Sequence, residues 1–411
     1  MTRRVDEAMT DAPGGTAGPD TASAPPARPP GHDAELVALA RELVALDSVN
    51  PDLDPSGAGE VALAHALRRR LDASGFSTTL IGPGARPSLV ARRRGTGGGR
   101  TLLLSGHLDT VGVRTYADGP FAPRVDGDQL WGRGAYDMKG ALAAGVLAAE
   151  RATAGDELAG DVVLAFAADE EFGSIGTEAV LASLDTAEID GALVLEPTGL
   201  ELGVAHRGFA WFALEVHGRA AHGSQPEQGV DAIAGMLRLV AALDADPAPC
   251  APEQGHPLLG TSTLRVATLE GGVDAATVAP HCRATIERRT LPGETPAVVR
   301  AALEATLARA AGSDVSFQLT ELVSRPAFEA PDGSAVVAAV DRAAVAELGA
   351  LPDRRGDPWW TEAALFADAG IDVALYGPAG GGAHADAEWL DLPSAATHVR
   401  VLERVLRDVC G

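Results

Sequence analysis

Apolar side chains recur along this chain with two periods, and the period changes at definite places. "AELVALARELVAL" (34–46) and "GEVALAHALRRRLDASG" (59–75) carry them at helical spacing. "PSLVARRRG" (87–95) and "RTLLLSGHLDTV" (100–111) are short apolar runs that predict strands. A small-residue helix is predicted over "GALAAGVLAAERA" (140–152), a buried strand over "DVVLAFA" (161–167), a short helix over "EAVLASL" (178–184) and another strand over "GALVLEP" (191–197). Strands alternating with helices point to an α/β domain whose sheet is largely parallel, with helices on its faces. Such sheets gather their functional loops at the carboxyl ends of the strands.

Near residue 206 the pattern changes. "GFAWFALEVHG" (208–218) alternates as a strand with one open face does. An amphipathic helix comes next at 229–245, then alternating strands at 261–272 and 281–291, a second helix at 295–312 and a last strand at 314–322. Two strand–helix–strand groups predict an α+β insert of about 110 residues, a usual domain size. Beyond about 320 the chain returns to the first domain, with helices at 335–349 and 394–409 and a strand at 371–377. The expected division is a tail at 1–31, a first domain at 32–206 and 321–411, and an insert at 207–320.

Composition adds limits. The tail is rich in Pro, Ala and Gly and has almost no large apolar side chains, so it is expected to be disordered. Arg3 and Arg4 are followed by no apolar run of the kind a secretory signal needs. No stretch reaches the roughly 18 apolar residues that span a bilayer. Cys250, Cys282 and Cys410 lack metal or redox spacing, which fits a reducing, cytoplasmic setting. A formal net charge of −24 argues against nucleic acid or an anionic membrane as the main partner.

The chemistry lies just past the strands. "TLLLSGHLDTV" puts His107 and Asp109 at a strand end, and "LWGRGAYDMKGALAA" puts Asp137 before a helix. "VVLAFAADEEFGS" adds Glu170 and Glu171, "ALVLEPTG" adds Glu196, and "VALYGPAGGGAHADAEWL" places His384 in a glycine-rich loop. If these strands are neighbours, two histidines and several carboxylates converge. Crowded carboxylates repel and raise one another's pKa, and a divalent metal removes that cost. Imidazole with carboxylate suits zinc, with manganese or cobalt also compatible, better than magnesium or calcium. Two ions sharing one carboxylate is a common hydrolase arrangement. The glycine runs lack both a Walker Lys-Ser/Thr pair and dinucleotide spacing, so a phosphate loop is not the reading taken.

With "GRAAHGSQPEQGVDAI" (218–233) and "GGAHADAEWL" (381–390), these segments resemble the di-zinc aminoacylase family. That family includes acetylornithine deacetylases, succinyl-diaminopimelate desuccinylases, carboxypeptidase G and related dipeptidases. The resemblance spans about residues 34–411 and six motifs in order. It implies a zinc-peptidase-like catalytic domain with an inserted ferredoxin-like lid that also forms a homodimer. It implies Asp137 bridging two divalent ions, His107 and Glu196 on one, Glu171 and His384 on the other, and a cis peptide after Asp137. Glu170 would be the general base, and Asp109 would accept the His107 ring N–H. His222 would reach the partner subunit's site as an oxyanion donor, and Arg289, with Arg288 as a substitute, would bind a substrate carboxylate.

The implied reaction is hydrolysis of a small N-acyl amino acid, in the manner of an acetylornithine deacetylase or a desuccinylase. A dipeptidase or carboxypeptidase with the same centre, and an inactive binding homologue, are the alternatives. His32, His65, His217, His256, His281 and His398 are read as structural or surface residues, and Lys139 as packing near the helix start. Arg207 is read as a lid-hinge or substrate-facing residue, and the Trp359–Trp360 pair either as lining the substrate pocket or as packing under the loop. Asp169 is assigned only a local turn role.

Overall fold

A computed structural model describes residues 33–116, 119–155, 158–245, 255–312 and 315–411. The 1–31 tail, His32 and Cys250 lie outside the described residues. In chain order the strands are β1 (Ser77–Ile81), β2 (Ser88–Arg93), β3 (Leu102–His107), β4 (Arg124–Asp126), β5 (Gln129–Trp131), β6 (Val162–Ala167), β7 (Gly191–Val194), β8 (Leu202–His206) and β9 (Gly208–His217). They continue with β10 (Thr263–Gly271), β11 (His281–Thr290), β12 (Ser316–Arg325), β13 (Phe328–Glu329), β14 (Arg354–Asp357), β15 (Val373–Leu375), β16 (Gly380–Gly381) and β17 (Trp389–Asp391). The helices are α1 (Ala34–Val44), α2 (Val61–Ala73), α3 (Gly140–Ala152), α4 (Ile175–Ser183), α5 (Ala232–Ala245), α6 (Pro296–Ala311), α7 (Ala335–Leu348), α8 (Ala363–Asp368) and α9 (Leu392–Cys410).

The main sheet runs β1-β2-β6-β3-β7-β15-β8-β13, with β14 also paired to β8. Its middle, β6-β3-β7-β15, is parallel. Its flanks are antiparallel at β1/β2, β2/β6, β15/β8 and β13/β8. The sheet is therefore mixed, with parallel pairing through its middle and again between β14 and β8. The six residues joining β1 to β2 are too few for the crossover that a parallel pair requires.

Both faces of the central strands are covered, which explains their continuous apolar runs. Leu102, Leu104, Val162, Leu164 and Phe166 face the core shared with α1, α2, α3, α7 and α9. Leu103, Val163 and Ala165 face a second core that takes Val180 of α4 and Phe366 of α8. Helix α3 is buried along nearly its whole length, and its Ala and Gly residues let α9 pack closely.

The segment after β8 builds its own antiparallel sheet, β10-β11-β9-β12. Order and connectivity are those of a ferredoxin-like unit. Phe212, Leu214, Val216 and Ile286 pack under Met236 and Leu239 of α5 and Leu303 and Leu307 of α6. Helices cover one face only. On the other, Phe209 and Trp211 of β9 stand opposite Arg289 and Glu287 of β11 and Arg325 and Val323 of β12. A third small sheet, β16-β17-β5-β4, braces the loop before α3. Cys282 and Cys410 are buried and unpaired.

Candidate metal centre

Strand register assembles the site. His107 pairs with Ala167, and Ser105 with both Ala165 and Val194, so β3, β6 and β7 end side by side. The residues just past these three ends meet at one place: Asp109 after β3, Glu170 and Glu171 after β6, Glu196 after β7. Asp137 comes from the loop before α3, and its peptide bond to Met138 is cis, as the resemblance implied. His384 arrives in the glycine-rich loop with φ 61°.

Two groups of ligand-type atoms form there: His107, Asp137 and Glu196; and Asp137, Glu171 and His384. Within each group the atoms lie within 4.8 Å of one another, and Asp137 belongs to both. His107 Nε2 is 2.9 Å from Asp137 Oδ1, and His384 Nε2 is 3.4 Å from Asp137 Oδ2 and 3.0 Å from Glu171 Oε2. The buried Oε1 of Glu171 has no hydrogen-bond partner among the described residues. An oxygen left bare in an acid cluster fits a cation, since a buried polar atom is otherwise costly. Two imidazoles and three carboxylates are the donor set of a transition-metal pair.

The electrostatics agree. Burial pushes the Glu196 carboxyl up to about 8 and raises Glu170 well above the ordinary range, and it raises Glu171 as well. Burial opposes charge on Asp137 too, but hydrogen bonds from His107 and His384 outweigh it and hold that carboxyl far down. Hydrogen bonds to Asp137 and Glu171 lift His384 to about 10. At neutral pH, then, a metal held by these groups would have to displace protons from His384 and Glu196. Deprotonation on raising the pH removes that competition, so affinity rises with pH. Competition titrations with a zinc chelator between about pH 6 and 9 are expected to show this, with protons released on binding; a pH-independent affinity would refute the ligand assignment.

Around these residues lies a support network with little sequence signal. Asp109 works differently from expectation. The His107 Nδ1 contact is with the Asp109 backbone carbonyl, at 2.9 Å, while the carboxylate is 3.8 Å away. That carboxylate instead accepts the backbone N–H of Glu170 (3.0 Å) and Glu171 (3.2 Å) and the Asn50 amide (2.8 Å). Asp169 has a left-handed backbone (φ 68°) and accepts from Asn50 and Arg86, both at 3.0 Å. Arg86 also pairs with the buried Glu60 at 2.7 Å. The three acids of "DEE" are thus held apart: Asp169 anchors the turn, and the two glutamates face the cleft. Glu388 is fully buried and accepts from Arg133 Nη1 (2.8 Å) and from the N–H groups of Gly134, Tyr136 and Asp137 (2.9 Å each). Glu362 is buried beneath the cluster and bonded to the Thr177 hydroxyl, and burial pushes its carboxyl up to about 7. Lys139 donates to the Leu46 carbonyl (2.6 Å), and His398 is buried beside Tyr376.

The cluster floors a cleft of about 560 Å³ that also takes Phe209, Trp211, Arg289 and Arg325 from the second sheet and both Trp359 and Trp360. Arg288, which alternates with Arg289, points the other way. It is buried and bonded to Glu294 (2.5 Å) and Ser262 (2.8 Å), so it cannot stand in for Arg289. Arg207 donates to the Leu259 carbonyl (2.5 Å) and does not line the cleft. His222 is exposed, with Nδ1 2.8 Å from Ser224 Oγ, and lies outside this cleft.

Residues 103–408 match the model of peptidase family M20/M25/M40. The chain belongs to that family. Succinyl-diaminopimelate desuccinylase of Cereibacter sphaeroides is 30% identical to it over 387 residues, covering 90% of this chain and 98% of the relative. Aminopeptidase PepT of Bacillus cereus superposes with a TM-score of 0.75 at 21% identity, covering 92% of this chain and 99% of PepT. The YXEP protein of Bacillus subtilis, a dinuclear metal-binding peptidase of family M20, gives 0.70 at 17% identity, covering 92% and 98%. This M20-family chain is a hydrolase of amide bonds, built on the mixed α/β fold of its relatives. Among the described residues, no helix is long and apolar enough to cross a membrane.

Proposed function

We propose that this M20-family chain removes the acyl group from a small N-acyl amino acid, using two divalent ions, zinc in the native protein. One observation carries the reading: two donor groups that share Asp137 on the floor of a cleft sized for a small ligand. His107 and Glu196 would hold one ion, Glu171 and His384 the other, and Asp137 both. When bound, the ions supply Lewis-acid polarisation of the scissile carbonyl and lower the pKa of the attacking water.

Glu170 then takes a proton from that water and delivers it to the leaving nitrogen. Burial favours the protonated form of its carboxyl, which helps it to take that proton up. Asp109 fixes it by accepting its backbone N–H, and orients His107 through its own carbonyl. Arg289 binds the substrate carboxylate, as its planar fork allows. The segment 207–320 serves as lid and dimerisation domain, and the working form is a cytoplasmic homodimer. Leu269 on the edge strand β10 and Leu237 on α5 are both exposed, which favours pairing of that surface. His222 of each subunit then donates to the oxyanion in the other's site.

The test is hydrolysis by zinc- or cobalt-loaded protein of N-acetyl and N-succinyl amino acids beside dipeptides. Acyl substrates turned over with the higher kcat/KM support the reading. Preference for dipeptides selects peptidase chemistry, and no turnover of either refutes both. The shared-site arrangement has its own check. Glu170→Ala and His222→Ala are each expected to be inactive, yet mixed and exchanged subunits should regain about a quarter of the wild-type rate, since half the dimers hold one complete site. No recovery with proven exchange would remove His222 from the mechanism.

A further inference from the structure

The cleft above the metal cluster is walled by rings that the hydrolytic chemistry does not require. Trp211 is 41% exposed, Trp359 48% and Phe172 63%. All three line the one cleft together with the half-buried Phe209 and Trp360. Large aromatic side chains left open at one place mark a binding surface. They are also ordered: Phe209 packs on Trp211 with ring centres 5.3 Å apart and meets Trp360 edge-on at 6.2 Å. Phe209 and Trp211 sit two apart on β9, so both stand on the uncovered face, beside Arg289 and Arg325 across the sheet.

The cations of this wall already lie over its rings. The Arg289 guanidinium is 5.5 Å from the centre of Phe209 and Arg325 is 5.9 Å from Trp360, while Arg355, outside the cleft lining, is 5.6 Å from Trp359. Arg289 is also paired with Glu287 at 2.8 Å, and Arg325 with Glu178 at 3.2 Å. A ring face covered by a guanidinium is closed to a substrate ammonium, and an ammonium in the cleft would meet Arg289 and Arg325, which both line it. A carboxylate meets Arg289 favourably, and the side chain on the same carbon then falls beside Phe209 and Trp211.

Resting on the deacylase reading above, we propose that the cleft selects N-acyl amino acids whose side chain is aromatic or large and aliphatic. The side chain packs on Phe209 and Trp211 from one wall and on Phe172 and Trp359 from the other. Chains that end in a lone amino group, as in ornithine, are rejected. Trp211 and Trp359 are the specificity-determining residues.

The experiment measures kcat/KM of the metal-loaded full chain for N-acetyl-L-phenylalanine, N-acetyl-L-alanine and N-acetyl-L-ornithine. The phenylalanine derivative is expected to exceed the alanine one by about tenfold or more, with the ornithine derivative the poorest. Trp211→Ala is expected to lower the phenylalanine-to-alanine ratio by about tenfold, and Trp211→Phe to keep most of it. A ratio near one in the wild type, a ratio unmoved by Trp211→Ala, or preference for the ornithine derivative overturns the proposal. If no amide is cleaved, the deacylase reading fails, and calorimetry on the zinc-loaded Glu170→Gln chain decides the cleft separately. N-acetyl-L-phenylalanine binding about tenfold tighter than N-acetyl-L-alanine upholds the inference, and equal binding overturns it.

Discussion

Replacing Glu170 by glutamine is expected to lower kcat by about 10²- to 10⁴-fold, the usual worth of a positioned acid–base group. Glu170 belongs to neither donor group, so metal content should stay near that of the wild type. Its position comes from backbone bonding: the N–H is held by Asp109 Oδ1, and glutamine leaves that bond in place. The amide keeps the size of the side chain and removes its ability to take a proton. The loss should therefore fall on kcat rather than on KM. Steady-state kinetics with metal analysis on the same sample separates the cases. Retained kcat refutes the base assignment, and lost metal shows Glu170 to be a ligand.

Replacing Glu388 by alanine is expected to be the most damaging single change to the fold of the site. The carboxylate is fully buried and accepts three backbone N–H groups and the guanidinium of Arg133, itself only 2% exposed. Removing it leaves a buried cation and three donors bare, at a cost of about 3–5 kcal/mol. The freed donors belong to Gly134, Tyr136 and Asp137, the loop that presents the residue common to both donor groups. Metal affinity should fall by about 10- to 100-fold, as on loss of a ligand-orienting group. Denaturant or thermal unfolding with zinc titration reads both effects. Wild-type stability and affinity in Glu388→Ala would show that the loop holds itself.

Much of this architecture is legible because the apolar periods are long and unbroken. The spacing over 140–152 predicts a helix, and α3 has those limits. Alternation over 208–218 correctly separates the covered face of β9 from the open one. Donor residues can be read because each lies just past an apolar strand or in the loop that opens a helix. The small sheet cannot: β4, β5, β16 and β17 are two or three residues long, too short to show any period. The mixed character of the main sheet escapes prediction because a strand's sequence does not show the direction of its neighbour.

The support network is hidden for another reason. Glu388 lies more than 250 positions from the loop it holds, and Arg86 lies 83 from Asp169. No local spacing records such pairs. Glu362 sits in "WTEAALFADAGI" (360–371), with nothing in its neighbours to mark it as buried under acids. The position of Asp109 is readable but its bond is not, since its own backbone carbonyl competes with its carboxylate for the His107 ring N–H. Arg288 and Arg289 are indistinguishable in "IERRTLPGE". Strand alternation sends one inward to Glu294 and the other to the cleft.

The central claim is that one carboxylate, Asp137, serves two ions and that hydrolysis depends on them. Calorimetric titration of chelator-stripped protein with zinc, with rates measured along the titration, tests it most directly. The account predicts about two ions per wild-type chain, activity absent in the stripped protein and restored on loading, and loss of both ions with Asp137→Ala. Full activity in stripped protein, or two ions retained by Asp137→Ala, would contradict it.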